Sequence, residues 1–141
     1  MIAVVDASVA FKWFLAGHPQ EHDTDLALKI LEQSVLGFLT FVQPPHFVAE
    51  VAAMLMRLKP VDARDDLHDL LNIRYQLVAS PEMYVTALKL AMRYQHHLYE
   101  TLYHAVALHT PGATLITANQ AYVTQASKEG SITLLSELEH G

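Results

Sequence analysis

Short apolar runs closed by polar residues alternate along this chain with longer segments whose apolar positions recur at helical spacing. The first run, Ile2-Ala3-Val4-Val5, is continuous and ends at Asp6, as expected of a strand covered on both faces. Residues 9–15 predict a short helix carrying Phe11, Trp13 and Phe14, broken by Gly17-His18-Pro19. After a cap at Asp23 or Thr24, Leu26, Ala27, Ile30, Leu31 and Val35 keep helical spacing, and Gly37 closes that helix.

Residues 38–43 read as a second strand, stopped by Pro44-Pro45, and helices follow over 47–58 and 62–74. A third strand is expected at 75–79. Ser80-Pro81-Glu82 starts a helix to about 96, with proline at its first position. A helix over 98–109, a strand at 113–117, a helix over 119–128 and a strand at 132–134 complete the series. Alternating strands and helices joined by right-handed crossovers give an α/β fold, three-layer α/β/α, with a mainly parallel central sheet of four to five strands. Residues 1–141 are expected to form a single domain.

Four polar residues stand where such a fold would bring them together. Asp6 ends the first strand, Glu50 lies early in an apolar helix, Glu100 opens another, and Asn119 follows the strand at 113–117. In open parallel sheets, chemistry gathers beyond the carboxyl ends of the strands. Carboxylates crowded there raise one another's pKa unless a cation neutralises them. Hard oxygen donors suit Mg²⁺ or Mn²⁺, so Asp6, Glu50 and Glu100 are the candidate ligands. Asn119 would orient water, with Ser8 and Thr117 as supporting hydroxyls. Plainer roles also exist: Asp6 and Asn119 as helix caps, Glu50 near a helix dipole, and Glu100 with His104 as a surface pair four residues apart. That spacing also makes His104 a possible extra ligand for a softer ion. Lys12, on the short helix that begins just after Asp6, reads as a phosphate contact or as a solvated lysine. His96 and His97 read as closing the preceding helix. Tyr99 and Tyr103 read as core or interface residues, or as surfaces for stacking bases.

Four motifs in this order resemble the PIN domain family, small metal-dependent ribonucleases that include the toxins of VapBC toxin–antitoxin pairs. They are Val4-Val5-Asp6-Ala7-Ser8, Pro44-Pro45-His46-Phe47-Val48-Ala49-Glu50, Leu98-Tyr99-Glu100-Thr101-Leu102-Tyr103, and Leu115-Ile116-Thr117-Ala118-Asn119. The resemblance implies a PIN-like fold and a metal-dependent endoribonuclease whose metal-activated water is held by Asp6, Glu50 and Glu100. It also implies an RNA substrate, a homodimer and a small antitoxin partner. Two positions depart from the pattern: Glu100 stands where Asp is usual, and Asn119 also replaces an Asp. The alternative is a catalytically attenuated PIN-fold protein that binds RNA or protein. A receiver-like signalling domain is set aside, because Asp6 has no acidic neighbour and the third strand ends in Val78-Ala79-Ser80.

Composition narrows the field. The net charge of −6 and scattered Lys12, Arg57, Lys59, Arg74, Arg93 and Lys128 make no continuous basic stripe. No cysteine is present, which excludes thiolate sites and disulfides. No secretory signal or membrane span is apparent, so a soluble cytoplasmic protein is expected. The chain is 52% apolar, an excess that points to surface covered by a partner or a second copy.

Overall fold

The computed structural model describes residues 1–16, 18 and 22–138; the helix break expected at Gly17 and Pro19 lies outside them. Five parallel strands, β1 (Ile2–Val5), β2 (Thr40–Gln43), β3 (Gln76–Leu77), β4 (Ala113–Thr117) and β5 (Ile132–Leu134), form one sheet in the order β3-β2-β1-β4-β5. The helices are α1 (Ala7–Lys12), α2 (Thr24–Val35), α3 (Phe47–Leu58), α4 (Ala63–Leu71), α5 (Pro81–Tyr94), α6 (Leu98–Leu108) and α7 (Gln120–Ala126). The architecture is three-layer α/β/α, as the alternation predicts.

The central strand β1 buries Ala3, Val4 and Val5 completely, which is why its sequence shows no polar alternation. Helix α6 packs on β1, β2 and β4, and α5 lies on α6. Helix α1 packs on β1 and β4, with α2 and α3 against it. Strand order reverses between β1 and β4, so the carboxyl ends of those two strands frame the switch point where such sheets hold their sites.

Element ends differ from expectation for local reasons. Helix α1 starts at Ala7 rather than 9, because the Asp6 carboxylate accepts the Val9 N–H at 3.1 Å and caps it. Helix α5 ends at Tyr94, two residues early, because Gln95 turns left-handed at φ 55°. Thus His96 lies in the turn between α5 and α6. The strand expected over 75–79 reduces to two edge residues, and α7 passes into a 3₁₀ turn over Ser127–Glu129. Asp23 precedes α2 but makes no side-chain cap. Gly37 closes α2 at φ 85°, a left-handed turn that suits glycine.

A buried glutamine holds the strand end next to the site. The backbone of Gln43 turns towards β3, where its carbonyl accepts Val78 N–H at 2.9 Å. Its side chain replaces that backbone on β1, accepting from Val5 N–H through Oε1 at 2.9 Å and donating through Nε2 to Val5 O at 2.7 Å.

Candidate acidic site

Beyond β1 and β4 opens a cavity of about 430 Å³ lined by Asp6, Ser8, Glu50, Glu100, Tyr103 and Asn119, among others. Asp6 is placed by the last residue of β1 and by its own capping of α1. Ser8 donates to its Oδ1 at 2.6 Å, and the Thr117 hydroxyl at the end of β4 donates to Oδ2. Thr117 Oγ1 also accepts from Asn119 N–H at 3.1 Å, so one hydroxyl links the end of β4 both to Asp6 and to the start of α7. Burial pushes the Asp6 carboxyl above the usual carboxylate range. The Ser8, Thr117 and Val9 donors pull the other way, and the charge of Glu100 adds to the rise.

Glu50 projects from the first turn of α3 and accepts the Tyr103 hydroxyl at 3.0 Å. Burial raises its pKa first, against the pull of the Tyr103 bond, and the charges of Asp6 and Glu100 raise it further. Tyr103, fully buried on α6, is itself held protonated by burial and by the charges of Glu50 and Asp6. His46 donates from Nε2 to Tyr99 O at 2.9 Å, and since a carbonyl only accepts, that nitrogen carries the proton. Burial lowers the His46 pKa, so the ring lends Glu50, 3.9 Å away, no full charge.

Glu100 lies in the first turn of α6, its Oε1 accepting Asn119 Nδ2 at 3.1 Å and its Oε2 facing His96 Nδ1 at 3.2 Å. Asn119 caps α7, its Oδ1 accepting Tyr122 N–H at 3.1 Å. All four residues singled out in the sequence therefore line one cavity, with Ser8 and Thr117 bonded to Asp6. Among the described residues, no three His, Cys, Asp or Glu side chains gather into a ready-made metal-binding group. Each carboxylate already accepts hydrogen bonds but keeps an unused lone-pair position, for instance on Asp6 Oδ2 and Glu50 Oε2. Such a donor set fits a hard cation that retains much of its water.

Two sequence candidates lie elsewhere. His104, on α6, is buried away from the cavity: Nε2 donates to Gly130 O at 2.8 Å, and Nδ1 accepts the Tyr122 hydroxyl at 2.7 Å. Both nitrogens are engaged and burial lowers its pKa, so His104 is a satisfied core histidine and no ligand. Its spacing from Glu100 misleads because residues Thr101 to Ala107 are all buried, leaving α6 no single solvent face. Lys12 is not among the cavity residues; its amine donates to His22 O at 2.8 Å. In its place the cavity has Arg57, exposed on α3. Glu50, Ala53, Met54 and Arg57 line the cavity at i, i+3, i+4 and i+7. That spacing is visible in the sequence, and starting from Glu50 it would have singled out Arg57. Tyr99, 61% exposed, stands at the rim.

No family model matches the sequence, and no curated protein matches it. Solved structures do. One is PAE2754 from Pyrobaculum aerophilum, 21% identical, with a TM-score of 0.60 over 96% of this chain and 93% of that one. Another is VapBC2 from Rickettsia felis, bound to a DNA fragment from their promoter, 16% identical, with a TM-score of 0.64 over 95% of this chain and 97% of that one. The fold is PIN-like. In this PIN-like fold, the resemblance read from four short motifs and the likeness of the backbone agree over nearly the whole chain. No described helix is long and apolar enough to cross a membrane.

The raised carboxyls make a prediction about pH. A folded-state pKa above the unfolded value means the native chain holds its proton longer, so stability falls as pH rises through that window. Buried His46 and His104, with lowered pKa values, act in the opposite sense below their ordinary 6.5. The Glu50 contribution is therefore read as a difference. In EDTA, the melting temperature of Glu50→Gln minus that of the native protein should be small near Glu50's ordinary 4.5 and grow towards neutrality. A gap that stays constant or shrinks with pH would contradict the strain assigned to Glu50.

Proposed function

We propose that this chain is a divalent-metal-dependent endoribonuclease of the PIN type, hydrolysing RNA phosphodiesters with Mg²⁺ or Mn²⁺ held by Asp6, Glu50 and Glu100. The reading rests on one observation: three carboxylates from three separate elements line a single open cavity, and two of them are raised above their ordinary range. When bound, the cation would lower the pKa of a water and offset charge developing at phosphorus. Asp6, fixed by Ser8, Thr117 and Val9 N–H, is the central holder. Glu50, oriented by Tyr103, and Glu100, oriented by Asn119 and His96, hold or position water on either side. Arg57 supplies a guanidinium for a backbone phosphate at the cavity edge.

A toxin role, with a small antitoxin and a homodimer, is part of the same proposal. The VapBC2 likeness supports it, as do the exposed Val85, Leu88 and Met92 on α5, apolar surface suited to another chain.

The test is cleavage of a mixed single-stranded RNA pool in Mg²⁺, Mn²⁺ or EDTA, with light scattering on the same sample to read the number of copies. Cleavage should require the metal and stop in EDTA. Cleavage indifferent to EDTA would refute the metal-dependent reading. RNA retention without cleavage in either metal would favour a binding module instead.

A further inference from the structure

Asn119 faces two groups with opposite demands. Tyr122 N–H requires an acceptor, and Glu100 Oε1 requires a donor. A side-chain amide meets both at once, and in one orientation only, because Oδ1 must point to the N–H and Nδ2 to the carboxylate. An aspartate would still cap α7 but would bring a second carboxylate to within hydrogen-bonding distance of Glu100. On the other side, Glu100 Oε2 can only accept while ionised, so His96 Nδ1 carries the proton between them. The ring of His96 is fixed in turn by edge contact with Tyr122, at 5.0 Å between centroids, and by the Gln125 side-chain amide. Tyr122 is the residue whose N–H Asn119 caps, so the circuit closes: Asn119, Glu100, His96, Tyr122.

We infer that Asn119 and Glu100 are a co-dependent pair, in which Asn119 is a positioning residue that holds the Glu100 carboxylate by a neutral donor where an acid would demand a second cation. The amide is then no damaged ligand, and the cavity is built to take one divalent ion. The ion count rests on the proposed metal-dependent function, whereas the pairing does not.

The test is a double-mutant cycle followed by a metal titration. Without metal, Asn119→Asp should lower the melting temperature by about 3–6 °C. Glu100→Gln should lower it too, because one of the two flanking donors then faces an amide NH₂. Combining them reverses the bond's polarity. The amide nitrogen now at position 100 donates to the carboxylate now at position 119, and the amide oxygen at position 100 accepts from His96. The double variant should recover most of the loss, because the hydrogen bond between the two positions is restored with its polarity reversed. Losses that simply add would overturn the pairing. In calorimetric titration with MnCl₂, the native protein should take up one ion, and Asn119→Asp a second. Two ions in the native protein would overturn the one-cation site. Absence of any Mn²⁺ uptake would sink the proposed function, while the metal-free cycle would still decide the pairing.

Discussion

Asp6→Asn is expected to reduce metal-stimulated RNA cleavage by on the order of 10²-fold or more, while leaving the metal-free fold as stable as before or firmer. The two effects separate because the carboxylate does two things. Its oxygens cap α1 and accept from Ser8, bonds that an asparagine Oδ1 reproduces. The Thr117 hydroxyl, which now donates to Oδ2, can rotate to accept from the new amide, since a hydroxyl both gives and takes. What disappears is the charge, which burial and Glu100 both oppose in the folded state. Removing it should stabilise the protein by on the order of 1 kcal/mol, or roughly 2–4 °C in melting temperature. A variant that both unfolds and loses activity would make Asp6 a structural cap. A variant that keeps full activity would remove the basis of the metal site.

How much of this was legible in the sequence depends on the distance over which the residues act. The buried strand β1 could be read from four consecutive apolar residues, and the start of α5 from Ser80 and Pro81. The gathering of Asp6, Glu50, Glu100 and Asn119 followed from strand ends and motif order. Element ends were less legible, because they turn on single side chains: the Asp6 cap draws α1 back to Ala7, and Gln95 stops α5 before His96. Partners brought together across the fold were not legible. Nothing local to Tyr103 shows that its hydroxyl meets Glu50, 53 residues away, and nothing local to His104 shows that Gly130 waits for its Nε2. Periodicity reports which face of an element is apolar, but not which polar group another element will present to it.

The same limit explains Gln43, a residue whose replacement should cost the fold heavily. Gln43 is fully buried, and so is Val5, whose N–H and C=O it satisfies. β1 and β2 pair through backbone at Ile2 with Thr40 and Ala3 with Phe41. At the strand ends the glutamine amide takes over, with one acceptor and one donor spaced like a peptide group. Gln43→Leu is close in volume but leaves both Val5 groups without partners and away from water. Each orphaned group costs about 1–3 kcal/mol, so a loss of about 2–5 kcal/mol is expected, and a fall in melting temperature of about 5–15 °C. Gln43→Glu should do little better at neutral pH, because one of its carboxylate oxygens would face the Val5 carbonyl. That glutamate variant should regain stability as pH falls and the carboxyl acquires the proton it must donate. Val5 immediately precedes Asp6, so the loosened strand end should also weaken Mn²⁺ binding at the proposed site. A Gln43→Leu protein that melts where the native one does would show that the β1 end is held by packing alone, and that Asp6 is placed by its cap and hydroxyl partners without help from the strand.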